Sequence, residues 1–192
     1  MNTPNKLTIL RICMVPFMVL FLLVDVIPFH YLWALIVFSV ASITDAIDGH
    51  LARKHNLITD FGKFLDPLAD KILVISALIC FVEMEACSAI VVIIIIAREF
   101  LVSALRLVAV GEGKVIAASN WGKMKTVSQM IAIIYELVFW SLCSIFGAMM
   151  PEVIFTWGHI AGEIMLWIAT VLTVISGVDY IWKNRSFIKT AK

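Results

Sequence analysis

Six long apolar runs, separated by short polar stretches, set the pattern of the chain: Leu7–Val24, Tyr31–Ile47, Phe64–Val82, Ala89–Val110, Thr126–Met149 and Ile160–Trp182. A helix needs about 20 apolar residues to cross a bilayer, and each run is close to that length. Inside hydrocarbon every backbone N–H and C=O must be satisfied within the protein, which for runs of this length predicts helices. There is no long linker, low-complexity tract or internal repeat. The pattern predicts one all-α integral membrane domain over residues 1–192, a bundle of six transmembrane helices.

Composition agrees. Of the 192 residues 62% are hydrophobic and 15% charged, against about 25% charged in a soluble domain. The net charge of +1 names no partner, and no nucleic acid is expected; the lipid bilayer is the partner that the apolar runs imply. The placement of charge says more. With the N-terminus in the cytoplasm, the inner side receives Lys6, Arg53, Lys54, Lys63, Lys114, Lys123, Lys125, Lys183, Arg185, Lys189 and Lys192. The outer connections receive Asp25, His30, Glu83, Glu85, Glu152 and His159, and no Lys or Arg. This positive-inside bias predicts both termini on the cytoplasmic side of the cell membrane. Arg11 at the start of the first run, with no small-residue cleavage site after it, argues for a retained segment rather than a signal peptide. Trp33, Trp121, Trp157 and Trp182 fall near predicted helix ends, as interface anchors do. Cys13, Cys80, Cys87 and Cys143 form no C-x-x-C pair and are expected to be small buried hydrophobes.

The chemistry concentrates between the second and third runs. Asp45 and Asp48 are three apart, Asp66 and Asp70 four apart, and each pair shares a helix face. The pairs are expected to end one helix and begin the next, with a short loop turning the chain so that the faces converge at the cytoplasmic surface. Four carboxylates ionised together beside lipid would cost several kcal/mol unless cations compensate. Oxygen-only donors without His or Cys favour hard ions, Mg²⁺ or Mn²⁺, and two such ions about 4 Å apart can clamp a phosphoryl group. Gly49 leaves room for a phosphate or nucleotide to approach the backbone, and Arg53, one turn on, offers a forked phosphate contact. Taken singly, each aspartate has a simpler explanation: Asp66 before Pro67 as an N-cap, Asp70 paired with Lys71, Asp45 paired with Arg53. An ion path through a transporter is a further alternative, but transporters tend to place their acids near the bilayer midplane rather than at one surface.

The full string, D-x2-D-G-x2-A-R-x8-G-x3-D-x3-D from Asp45 to Asp70, resembles the signature of the CDP-alcohol phosphatidyltransferase family at every fixed position. The resemblance implies six transmembrane helices, a homodimer and a dinuclear metal site. It implies Asp45, Asp48, Asp66 and Asp70 as metal ligands and Asp70 as the base that takes the acceptor's hydroxyl proton. Gly49 and Arg53 become contacts to CDP-diacylglycerol. Pro4-Asn5-x-Leu7-Thr8-x-x-Arg11, Ile96-Ala97-Arg98-Glu99 through Ser103 and Arg106, and Gly122-Lys123-x-Lys125-Thr126 resemble the branch of that family whose acceptor is glycerol 3-phosphate. On that basis Asn5 and Thr8 join the CDP-diacylglycerol contacts. Other branches, making phosphatidylserine, phosphatidylinositol phosphate or cardiolipin, are the nearest alternatives.

The acceptor side also follows from the residues. Arg98 and Glu99 lie inside a predicted span, where charge is costly and marks function. Arg98 and Arg106 are eight apart, about two turns, and face the same way. With Lys123 and Lys125 they can form a basic pocket for a phosphate dianion. Lys123 and Lys125 can equally be plain inner-face anchors, and Arg98 can pair with Glu99, Asp179 or Glu136.

Overall fold

A computed structural model describes the backbone of residues 3–55, 60–111 and 119–185, and side chains at 7–44, 68–111, 119–147 and 149–185. The described chain is all-helical: α1 Thr3–Leu23, α2 His30–His55, α3 Asp60–Glu83, α4 Ala89–Gly111, α5 Asn120–Phe146 and α6 Glu152–Lys183, with a 3-10 turn at Gly147–Met149. All six apolar runs are helices. Among the described residues, Asn120–Phe146 and Glu152–Lys183 are long and apolar enough to cross a bilayer, and Leu7–Leu23 and His30–Thr44 are shorter apolar stretches.

The ends differ from expectation in an instructive way. α2 runs on past Ile47 to His55 and α3 starts at Asp60 rather than Phe64; Asp45 and Asp48 lie within α2, and Asp66 and Asp70 within α3. Since α3 already starts at Asp60, Asp66 is not a helix N-cap. α5 starts six residues before the expected Thr126, because the Ser119 hydroxyl caps it by accepting from Gly122 N–H at 3.1 Å. Lys123 and Lys125 therefore precede the apolar run yet lie within the helix. α6 starts at Glu152 rather than Ile160. Pro151 precedes it, and the Glu152 carboxylate in the first turn suits the positive end of the helix dipole. α3 ends on a Schellman motif: Ala86 N–H donates to Phe81 C=O at 2.8 Å and Glu85 N–H to Val82 C=O at 3.1 Å, with Glu85 left-handed at φ 57°.

α1 packs on α2 and α3, α5 on α6 and α2, and α4 on α6 and α3. Met18, Leu22, Phe38, Leu73, Phe81, Ile95, Ile133, Leu137 and Leu166 interlock in the centre. Lipid tails are as apolar as leucine, so helices associate in a bilayer through close approach and hydrogen bonds. The buried face of α6 is accordingly small and polar: Gly162, Ala169, Thr170, Thr173, Ser176 and Gly177, beside Leu166 and Tyr180. Gly158 and Gly162 seat α5. A Cβ on Gly158 would stand 2.2 Å from the Phe139 ring, and one on Gly162 would stand 2.1 Å from Glu136 Oε1. Tyr135 O–H donates to Gly158 C=O at 2.9 Å and its ring lies parallel to that of Phe139.

Trp33, Trp121, Trp157 and Trp182 all stand exposed near helix ends. The four cysteines are free thiols. Cys80 and Cys87 are buried, and burial pushes the Cys87 thiol, in the α3–α4 connection, up to about 12. Two depart from the expected burial: Cys13 is exposed on α1 and Cys143 is half-buried on α5.

The α5–α6 seat generates a prediction. Gly158→Ala should destabilise the purified protein by about 1–3 kcal/mol, because the Phe139 ring would have to shift against the rings of Tyr135, Trp140 and Phe155 packed on it. Gly147→Ala, where a Cβ meets nothing within 4 Å, should leave the thermal unfolding midpoint in detergent close to that of the parent. Equal midpoints for the two variants would contradict the packing described.

Candidate active site

A cavity of about 570 Å³ opens between α3, α4 and α5, lined by Asp70, Lys71, Val74, Ile75, Arg98, Glu99, Arg106, Lys123, Lys125 and Gln129, among others. Each element delivers its residues through helical spacing. Asp70 and Val74 follow one another along α3, Lys125 and Gln129 along α5, and Arg98 and Arg106 along α4. Arg98, Arg106, Lys123 and Lys125, the expected basic set, thus share one cavity with Asp70.

The charges inside are organised around Glu99. Its Oε1 accepts from Arg98 Nη1 at 3.0 Å and from Lys125 Nζ. Arg98 Nη2 also donates to Ser176 Oγ on α6 at 2.6 Å. Close approach of α6 makes this possible, since a Cβ on Gly177 would stand 3.1 Å from Arg98 Cγ. Of the three partners that the sequence offers Arg98, it takes Glu99. Asp179 pairs with Lys183 at 2.8 Å, and Glu136 Oε2 accepts from Trp140 Nε1 at 3.2 Å. Lys71 donates to Ser103 Oγ, which donates to Glu99 C=O at 2.7 Å. The Lys71 ammonium is therefore directed toward α4. Arg106 is exposed, with its guanidinium carbon 5.8 Å from the centre of the Tyr180 ring. Lys123 is exposed and Lys125 buried. The cavity thus has two exposed cations and two that are held by Glu99.

Thr8, an expected nucleotide-lipid contact, is buried on α1, and so is Arg11 at 1% exposure. A guanidinium inside a helical bundle requires compensating acceptors, and α1 lies against α2 and α3, the two helices that carry the aspartates. The side chains of Asn5, Asp45, Asp48, Gly49, Arg53, Gly62 and Asp66 lie outside the described residues. Among the described residues no three His, Cys, Asp or Glu side chains form a metal-binding group.

Sequence reasoning missed Gln129, Ser176 and Tyr180, and it named Lys71 and Ser103 without their contact with each other. Ser176 and Tyr180 lie on α6, far along the chain from any recognised motif, so no spacing rule connects them to Arg98 or Arg106. Gln129 was within reach: it lies one helical turn from Lys125, a residue already singled out.

The model of the CDP-alcohol phosphatidyltransferase family matches residues 1–175. The chain is 42% identical to the CDP-diacylglycerol–glycerol-3-phosphate 3-phosphatidyltransferase of Bacillus subtilis (strain 168), over 99% of this chain and 98% of the relative. It is 40% identical to the protein of the same name from Rickettsia typhi (strain ATCC VR-144 / Wilmington), over 93% of this chain and 94% of the relative. For the Escherichia coli (strain K12) protein of that name the identity is 37%, over 96% of each chain. With a match running from the first residue into α6, the chain belongs to the CDP-alcohol phosphatidyltransferase family.

Proposed function

We propose that this protein transfers the phosphatidyl group of CDP-diacylglycerol to the primary hydroxyl of glycerol 3-phosphate, giving phosphatidylglycerophosphate and CMP. One observation carries it: the last aspartate of the family motif, Asp70, shares a cavity with Arg98, Arg106, Lys123 and Lys125. A doubly charged acceptor phosphate needs such cations, and a neutral or zwitterionic acceptor does not. The printed names of the full-length relatives support the same acceptor.

Asp45, Asp48, Asp66 and Asp70 are the residues that would hold two divalent ions, Mg²⁺ or Mn²⁺. The fit rests on the oxygen-only donor set, and on helical spacing that puts each pair on one face of α2 or α3. Bound there, such ions neutralise charge on the diphosphate and on departing CMP. Asp70 takes the proton from the acceptor hydroxyl, whose oxygen attacks the lipid-linked phosphorus; the bond from that phosphorus to the CMP oxygen breaks. Asn5, Thr8, Gly49 and Arg53 hold CDP-diacylglycerol. Arg106 and Lys125, assisted by Lys123 and Arg98, hold the acceptor phosphate. Positioning and fixed charge supply most of the acceleration.

In this reading residues 1–192 are one domain with six helices crossing the cell membrane. Both ends and the cavity are cytoplasmic, and the protein works as a homodimer. The positive-inside distribution supports the orientation, and two apolar helices of spanning length support the membrane location.

Three predictions follow from these roles. Asp70→Asn should lower the rate of CMP release about 10²–10⁴-fold, as expected for loss of a general base. Thorough chelation should abolish release and added Mg²⁺ or Mn²⁺ restore it; activity surviving either treatment contradicts the assignment. Lys125→Met and Arg106→Ala should each raise KM for glycerol 3-phosphate about 10-fold or more, the loss of a charge-assisted hydrogen bond. KM for CDP-diacylglycerol should change little, and steady-state kinetics with each substrate varied separately would expose an exchange of those roles.

A further inference from the structure

Gln129 is a polar side chain of the cavity that stands outside the charge network. It is 3% exposed, its Nε2 has no hydrogen-bond partner among the described residues, and it lines the cavity on α5. A buried amide left unpaired is costly, so native proteins seldom keep one without a use. Four residues separate Gln129 from Lys125, which puts it about 6 Å further into the bundle along the same face. The same cavity also has apolar lining, with Val74 and Ile75 on α3 and Met130 beside Gln129 in the chain.

The position decides what the amide can recognise. Anion-binding capacity is concentrated nearer the start of α5 and the end of α4, in Lys123, Lys125 and Arg106. A neutral amide one turn deeper adds little for a dianion. It is suited to a neutral group that both donates and accepts, and an alcohol is the simplest such group. With the phosphate on the cations and the attacking hydroxyl at Asp70, glycerol 3-phosphate has one polar group left, its central hydroxyl. We propose that Gln129 is a specificity-determining residue that hydrogen-bonds the central hydroxyl of the acceptor, so that the cavity selects a phosphorylated polyol over a simple phosphorylated alcohol. The inference rests on the acceptor reading given above and extends it. A site built to hydrogen-bond a substrate hydroxyl rejects the analogue lacking it, because its own polar group is then stranded.

The test compares glycerol 3-phosphate with 3-hydroxypropyl phosphate, which keeps the phosphate and a primary hydroxyl and lacks the central one. The parent protein should favour glycerol 3-phosphate about 10- to 100-fold in kcat/KM, the scale of one buried hydrogen bond. In Gln129→Leu and in Gln129→Met, which keeps the length of the side chain, that ratio should collapse toward one, mainly through loss of kcat/KM for glycerol 3-phosphate. Thermal stabilisation of the purified full chain by each phosphate, measured without CDP-diacylglycerol, should show the same collapse. A parent that does not discriminate, or variants that lose both acceptors in parallel, would overturn the role of Gln129. If the parent released no CMP with glycerol 3-phosphate, the proposed reaction would fail instead, and the stabilisation ratio would still decide whether Gln129 reads the hydroxyl.

Discussion

A carboxylate between two cations, inside an apolar helix, is the constraint on which the rest of the cavity depends. Glu99 sits on α4 and accepts from Arg98 beside it and from Lys125 across on α5. Remove that oxygen and Arg98 and Lys125, both largely buried, lose the carboxylate they share, while Arg98 keeps its bond to the Ser176 hydroxyl. Isolated charge in such surroundings is expensive, while a hydrogen-bonded pair is tolerable. Glu99 thus lets α4 and α5 bring cations to one wall without forcing the helices apart.

α6 orients the arrangement. Its buried face carries glycines, alanine and hydroxyl residues rather than large aliphatic side chains, so neighbouring helices come close enough for specific contacts. Ser176 then reaches the Arg98 guanidinium, and Tyr180 offers its ring to Arg106. Close approach is itself a source of stability where burial from lipid contributes little. One surface of α6 therefore both seats α5 and orients the basic residues of α4.

Much of this was legible in the sequence, and for identifiable reasons. Helices in an apolar chain are long, and the six runs gave their number directly; charge at Lys123, Lys125 and Arg53 blurred only their ends. The spacing of Arg98, Arg106, Lys123 and Lys125 was enough to group them, because helical periodicity is local and Arg98 to Arg106 spans just two turns. Contacts between distant helices were illegible. Three acidic partners were equally available to Arg98 by charge, and only the fold decides for Glu99, since Asp179 is engaged by Lys183 and Glu136 by Trp140. Neutral residues were the weakest signal. Ser103, Ser176 and Gln129 carry no charge to mark them against an apolar background, yet each lies on the network or the cavity.

The balance of charge in the cavity also shapes how an anion is held. Arg98 and Lys125 are already partnered by Glu99, so a phosphate reaching them gains only the difference between its own attraction and that of the carboxylate. Arg106 and Lys123 are exposed, and screening by water and salt limits what each contributes. For the acceptor phosphate proposed above, four cations balanced in this way would make a weaker site than a bare cluster of the same charges. An enzyme gains in turnover when ground-state binding is not deeper than the working substrate concentration requires. In the proposed reaction a carboxylate inside the basic cavity, which in isolation looks like a defect, would serve that end while it also makes the buried cations structurally possible.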